Sequence, residues 1–246
     1  MRLQGKTAIV TGGASGFGAG IVRKFAAEGA KVLIADLNME LAEQVAADVG
    51  GIATKANVAS NDSVAELAEF AASKLGGVDI LVNNAGITHL PKPMQDVTED
   101  EFDKVMTVNC KSVYLTAKHF VPGMIEKGAG AILNVASTAG LSPRPKLNWY
   151  NASKGWMITA TKTMAVELAP NGVRVNALCP VAGETPLLKS FMGEDTPEIR
   201  AKFLSTIPIG RFSTPEDMGN AACYLCSDEA GMITGVAMEV DGGRCI

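Results

Sequence analysis

Thr11-Gly12-Gly13-Ala14-Ser15-Gly16-Phe17-Gly18 joins an apolar run, Thr7–Thr11, to an amphipathic segment, Phe17–Glu28. The first run shows no polar alternation, so it reads as a strand covered on both faces. Apolar residues in the second recur at helical spacing. Glycine permits a tight turn and lacks the Cβ that would keep a ligand away from backbone N–H groups. A helix N-terminus adds unpaired N–H groups and the positive end of its dipole. Strand, glycine turn and helix together predict a pyrophosphate site at Gly12, Ser15, Gly16, Phe17 and Gly18.

The same alternation extends outward from this turn. Strand-like runs follow at Lys31–Ala35, Ile52–Val58, Asp79–Val82, Ala131–Ala136, Val173–Leu178 and Val236–Val240. Helical segments lie between them at Glu40–Val49, Ser63–Leu75 and Tyr150–Leu168. A longer one starts at the capping-box pattern Thr98-Glu99-Asp100-Glu101 and ends near Gly128. Thr214-Pro215-Glu216-Asp217 marks another helix start, with proline at the first helical position. Repeated β-α-β units predict one α/β domain over residues 1–246, a doubly wound, Rossmann-like parallel sheet with helices on both faces. Its ligand crevice lies at the carboxyl ends of the strands.

Composition narrows the class. Hydrophobic residues make up 47% of the 246 and charged residues 20%, which suits a globular enzyme rather than a disordered chain. A formal charge of −4 argues against a nucleic-acid partner, and no apolar run is long enough to span a bilayer. Met1 to Lys6 leads straight into the first strand and leaves no room for a signal peptide, so a cytoplasmic protein is expected. Cys110, Cys179, Cys223, Cys226 and Cys245 form an odd, scattered set and read as reduced thiols. Cys223 and Cys226 have metal-ligand spacing, but they lie in an apolar helical stretch with no second pair. No metal is expected.

Two further patterns point to redox chemistry. Asp36 ends the second strand, where a carboxylate can accept hydrogen bonds from adenosine ribose hydroxyls and repel a 2′-phosphate. Tyr150 and Lys154 lie one helical turn apart on one face. An ammonium there favours the phenolate and draws the phenol's pKa from ≈10 towards neutrality, as acid/base catalysis requires.

Thr-Gly-x-x-x-Gly-x-Gly at the first strand–helix turn resembles the cofactor fingerprint of the short-chain dehydrogenase/reductase family, and the likeness continues through most of the chain. NADP-preferring relatives usually carry a basic residue where Ser15 or Leu37 stands here, so the resemblance implies NAD(H). Asn57-Val58 matches the family's adenine-contacting pair. Asn83-Asn84-Ala85-Gly86 matches its Asn-Asn-Ala-Gly motif, which implies that Asn84, Ala85 and Gly86 line the nicotinamide ribose. Ser137, thirteen residues before Tyr150, stands where relatives hold the substrate oxygen. Asn109 falls inside the long helix; its counterpart distorts that helix and holds a water in a proton relay to the lysine. The implied catalytic set is Asn109, Ser137, Tyr150 and Lys154, acting on a small alcohol or ketone.

Relatives often read Pro-Gly-x-x-x-Thr after the sixth strand. Here Pro180-Val181-Ala182-Gly183-Glu184-Thr185 replaces that glycine with Val181, which puts the contacts of Pro180, Gly183 and Thr185 in question. Residues 187–212 correspond to the family's substrate-covering segment. Arg144, Lys146 and Trp149 are placed to approach substrate, His89 follows the fourth-strand motif, and the two cations suggest an anionic substrate. Relatives usually form homotetramers through the helices at 101–127 and 150–170, for which Met106, Val113, Trp156 and Met164 are the candidate outer-face residues. The alternatives are 3-oxoacyl-[acyl-carrier-protein] reductase, which typically uses NADPH, and a non-catalytic NADH-sensing regulator, which would tend to lose Tyr150 or Lys154.

Overall fold

A computed structural model describes all 246 residues. Seven parallel strands form one sheet: β1 (Thr7–Thr11), β2 (Lys31–Asp36), β3 (Ile52–Lys55), β4 (Ile80–Asn83), β5 (Gly130–Val135), β6 (Val173–Pro180) and β7 (Ala237–Val240). Their order is β3-β2-β1-β4-β5-β6-β7, so the winding reverses between β1 and β4. Ala8, Ile9 and Val10 pair there with Ile80, Leu81 and Val82. Loops from both halves diverge at that edge and leave the crevice in which such folds bind ligands.

Alternate side chains of each strand enter opposite cores. Ala8, Val10, Val32 and Ile34 pack with α1 (Gly16–Ala27), α2 (Met39–Val49) and α9 (Pro215–Cys226). Ile9, Leu33, Ala35 and Leu81 pack on the other face with α3 (Asn61–Leu75), α5 (Ser112–Lys127) and α6 (Asn148–Leu168). The unbroken apolar strands are thus the sequence of a sheet covered twice. Cys223 and Cys226 are buried in the first core, as thiols of α9.

Helix boundaries follow local chemistry. Asn38, Ser60 and Thr214 accept N-cap hydrogen bonds, and Thr98 and Glu101 complete the expected capping box. The third strand ends at Lys55, short of the expected Val58. Asn57 Oδ1 accepts from Ala59 N at 3.0 Å and turns the chain out of the sheet. The expected long helix is divided into α4 (Glu99–Met106), one π turn (Thr107–Lys111) and α5. The widened turn contains Asn109, which is fully buried. Two short helices, α7 (Leu188–Met192) and α8 (Pro197–Leu204), occupy the segment after β6.

Buried polar groups tie the second helix layer to the sheet. Thr116 donates to Asn83 Oδ1 (2.8 Å), Asn83 to Asn134 Oδ1 (2.9 Å), and Asn134 to Thr161 Oγ1 (2.9 Å). Every member is satisfied, so the chain fixes the positions of α5 and α6 without an orphaned group.

Val113 is not an outer-face residue. It is 1% exposed and packs with Ala136, Met157 and Ile158. The exposed apolar side chains of α5 and α6 are instead Tyr114, Ile125, Trp156 and Val166.

On the opposite face, α1 and α9 touch backbone to backbone at Gly20 and Gly219. A methyl group on Gly20 would overlap the Pro215 carbonyl, and neither backbone can yield locally. Gly20→Ala is therefore expected to destabilise the fold by about 1–3 kcal/mol or more, read as a lower urea midpoint. An unchanged midpoint would show that the two helices can separate without loss.

Candidate active site

A cavity of about 460 Å³ runs along the carboxyl edge of the sheet. At one end lies the glycine turn. Gly12 and Gly16 have φ of 63° and 52°, a conformation that favours glycine. Ser15 is the N-cap residue of α1, but its hydroxyl makes no cap bond. The N–H groups of Gly16, Phe17 and Gly18, in the first turn, have no intrahelical acceptors. Gly12, Ser15, Gly16 and Phe17 line the cavity. Gly18 does not: it is buried beneath the turn, where a methyl group would strike the Gly12 carbonyl. Its smallness lets α1 approach β1, which is a packing requirement rather than a ligand contact.

Asp36 and Leu37 line the cavity where β2 ends. The Asp36 carboxylate accepts from Ala14 N and Asn38 N, each at 3.0 Å, so it is oriented and joined to the glycine turn. Each oxygen retains acceptor capacity for a hydroxyl. Asn57 and Val58 lie beyond, also on the lining.

Asn84, Ala85 and Gly86 border the middle. Asn84 Nδ2 donates to both Thr11 O and Gly12 O at 2.9 Å, which binds β4 to the turn after β1. Thr11, absent from the sequence-based site, accepts from Asn84 N (3.1 Å) and Ala85 N (3.2 Å). Its location as the last residue of β1 was the only available signal.

At the other end, Ser137, Tyr150 and Lys154 meet on the lining and are each at most 9% exposed. Ser137 faces the Tyr150 phenol and its Oγ accepts from Ala139 N at 3.1 Å, which leaves its O–H free to donate. Lys154 Nζ donates to Val135 O at 2.8 Å and lies 5.9 Å from the Tyr150 ring centre. Asn109 is off the lining. It clamps the backbone of Ile87, accepting from its N–H and donating to its carbonyl, both at 2.9 Å, and donates to Ser153 Oγ. A Cβ on Gly86 would lie 3.4 Å from both Asn109 Oδ1 and Lys154 Nζ, so the glycine keeps the space between them open.

The expected lowering of the tyrosine pKa is not found. Burial pushes the Tyr150 phenol up to about 12, against the smaller opposing effect of Ser137. Burial likewise pushes Lys154 down to about 8. Desolvation dominates both shifts, and the ammonium donates to the Val135 carbonyl. Near neutrality the phenol therefore holds its proton and the lysine is close to its titration point.

The Val181 departure has a local explanation. Val181 has no positive φ, and its side chain joins Leu188, Met192, Ile207 and Phe212 in a small core beneath the segment that follows β6. Gly183 sits where a methyl group would strike the Phe17 ring, and Thr185 packs against Gly16. Pro180, Gly183 and Thr185 all line the cavity. Leu187, Phe191 and Phe203 extend its wall, with the Phe191 ring centre 5.1 Å from that of Tyr150.

Arg144 lines the cavity, but Lys146, Trp149 and His89 do not. Lys146, at φ 69°, is exposed. Trp149 donates to Met94 O and stacks edgewise on Phe102, and His89 is buried against Leu90 O. Asn151, which sequence reasoning missed, is on the lining with its Oδ1 unpartnered.

These features define a dinucleotide-binding oxidoreductase, and the chain belongs to the short-chain dehydrogenase/reductase family. Residues 12–244 match the family model described as enoyl-(acyl carrier protein) reductase. The chain is 49% identical over 252 residues to 4-formylbenzenesulfonate dehydrogenase of Comamonas testosteroni, covering 100% of both. It is 39% identical over 252 residues to 3-oxoacyl-[acyl-carrier-protein] reductase of Thermotoga maritima, again covering 100% of both. A crystal structure of 3-ketoacyl-(acyl-carrier-protein) reductase from Brucella melitensis, complexed with NADH, superposes with a TM-score of 0.95. It shares 49% identity, over 99% of this chain and 100% of that one. The enzyme is thus a dehydrogenase/reductase acting on CH–OH groups, in a family that uses nicotinamide dinucleotides.

The buried lysine has a consequence for stability. Below pH 8 Lys154 is protonated in both the folded and unfolded chains, and burying its charge costs about 3 kcal/mol. Between its folded value of about 8 and its unfolded value of 10.5, the unfolded chain holds the extra proton. Stability therefore rises with pH in that window. The difference in unfolding free energy between wild type and Lys154→Met should grow in favour of wild type from pH 7.5 to 9.5. Parallel pH curves for the two proteins would contradict the assignment.

Proposed function

We propose that this enzyme interconverts a secondary alcohol and its ketone with NAD(H), using Tyr150 as acid and base. The observation that carries the reading is the joint burial of Ser137, Tyr150 and Lys154 at one end of a cavity whose other end holds Asp36. In reduction, Ser137 and Tyr150 both donate hydrogen bonds to the ketone oxygen, and Tyr150 then gives up its proton. When bound, the nicotinamide supplies the hydride, or accepts it in the reverse direction. Lys154, fixed by the Val135 carbonyl, offsets the charge that develops on the phenolate. Asn109 is a positioning residue: it bonds the backbone of Ile87 and the hydroxyl of Ser153, the residue before the lysine. Oxidation reverses the sequence, with Tyr150 taking the alcohol proton.

The residues fit the dinucleotide. The N–H groups at the start of α1 accommodate the pyrophosphate, and Asp36 receives the adenosine ribose hydroxyls. No cationic side chain replaces Ser15 or Leu37, so a 2′-phosphate would meet only the Asp36 carboxylate. The second reading, 3-oxoacyl-[acyl-carrier-protein] reductase, draws on the names of two relatives. Five unpaired thiols suit a cytoplasmic enzyme. Tyr114 and Ile125 on α5, with Trp156 and Val166 on α6, offer the apolar surface for a homotetramer.

Titrating the enzyme with NADH and NADPH, followed by nicotinamide fluorescence, tests the cofactor. NADH should bind at least tenfold more tightly, since charge-assisted hydrogen bonds contribute about 1.5–3 kcal/mol. Asp36→Ala should erase most of that preference. Tighter NADPH binding would overturn the NAD assignment and favour the carrier-protein reductase. Tyr150→Phe should lower kcat by ~10²–10⁴-fold with the fold intact; wild-type turnover in that variant would remove Tyr150 from the mechanism.

A further inference from the structure

One charge at the substrate end has no part in the chemistry above. The charged side chains lining the cavity are Asp36 at the ribose end, Lys154, and Arg144 near the covering segment. Arg144 lies in the loop between Ser137 and α6. Its Cζ sits 4.5 Å from the Phe203 ring centre, and its Nη2 donates to Thr206 Oγ1 at 2.8 Å. That is the only hydrogen bond made by a guanidinium with five N–H groups. No aspartate or glutamate approaches within 4.0 Å.

A second cation reinforces this one. Arg244, from the chain terminus, donates to Ser142 Oγ at 3.3 Å, and Ser142 also lines the cavity. The Nε of Arg244 is buried without a partner, and it too forms no ion pair with a carboxylate. Burial and the positive charge of Arg244 both disfavour the charged form of Arg144. Arginine nonetheless stays protonated, so an anion arriving between or beside the two would relieve both costs. The Phe203 ring and the bond to Thr206 Oγ1 hold the guanidinium, and its remaining N–H groups match the two oxygens of a carboxylate or sulfonate. The wall beside them is apolar, formed by Leu147, Val181, Phe191 and Phe203.

We propose that the substrate carries a carboxylate or sulfonate group, which Arg144 binds while Ser137 and Tyr150 hold the reacting oxygen. The proposal rests on the secondary alcohol/ketone reading. Arg144 is a specificity-determining residue, and Arg244 strengthens its field. Lys146, the second cation expected from sequence, has no role because it points away into solvent.

The test compares 4-acetylbenzoate with its methyl ester, and 4-oxopentanoate with its methyl ester, as NADH-dependent substrates. The ratio of kcat/KM, anion over ester, is independent of the active fraction of a preparation, so poorly folding variants still report. For at least one pair it should be roughly tenfold to a hundredfold in wild type. It should fall towards one in Arg144→Gln, survive in part in Arg144→Lys, and fall by a smaller factor in Arg244→Gln. A wild-type ratio near one, a ratio unchanged in Arg144→Gln, or faster turnover of a neutral 3-oxoacyl thioester than of either anion overturns the proposal. If no ketone reacts although NADH binds, quenching of enzyme-bound NADH fluorescence by the two carboxylates decides. Quenching lost in Arg144→Gln supports the anion site, and its absence in wild type overturns it. Failure to bind either nicotinamide dinucleotide would instead refute the underlying functional reading.

Discussion

The molecule depends on the hydrogen bonds that close the gap between β1 and β4, where the strand order reverses. Chains leaving these strands must part to make room for a ligand, yet the strands themselves are paired. Thr11 and Asn84 reconcile the two demands. Thr11 donates to Val82 O and accepts from two backbone N–H groups of the next loop, while Asn84 donates to the carbonyls of Thr11 and Gly12. The backbone after β4 thereby holds the shape of the glycine turn after β1. Within that turn Gly12 N and Ala14 N donate to Ala35 O and the Asp36 carboxylate, which leaves the first-turn N–H groups of α1 without an intrahelical acceptor.

The reacting end obeys a different constraint, set by burial. Its lysine and tyrosine lie one turn apart on a helix whose start fits into the site, and both lose solvent. Desolvation favours the neutral phenol and the neutral amine, so burial does not by itself create a phenolate. What it prepares is a protonated phenol beside an ammonium that burial has made easier to deprotonate. Asn109 shapes this region indirectly. Its π turn moves the side chain inward far enough to grip Ile87, and Gly86 then faces Lys154 without a Cβ in the intervening space.

The segment after β6 completes the cavity and explains a residue that was at first an irregularity. Val181 occupies a position where glycine is common among relatives, but its side chain is the base of a small core shared with α7, α8 and the Phe212 turn. Phe191 and Phe203, carried by the two helices, reach the tyrosine and Arg144 respectively. The segment that places an aromatic ring against Tyr150 thus also shapes the apolar surroundings of the guanidinium.

Much of this was legible in the sequence because it depends on local order. Strand-turn-helix succession, the glycine spacing, a carboxylate at a strand end and a Tyr–Lys pair at i, i+4 are short-range patterns, fixed by backbone sterics and helical periodicity. They gave the sheet and the glycine turn, and they picked out Ser137, Tyr150 and Lys154, which the fold brings onto one lining, and Asn109, which it joins to Ile87 and Ser153. Side-chain direction and solvent access were not legible, since both depend on residues far away in the chain. Gly18 turned out to serve packing, Val113 to face a core, and Lys146 to leave the cavity that Arg144 enters. Arg244 was unremarked because it lies 102 positions from the Ser142 hydroxyl that it meets. The sequence by itself determined which groups were available and on which elements they stood. Only the tertiary structure decided which of them lost water and which met a partner, because desolvation and contact are properties of the packed chain.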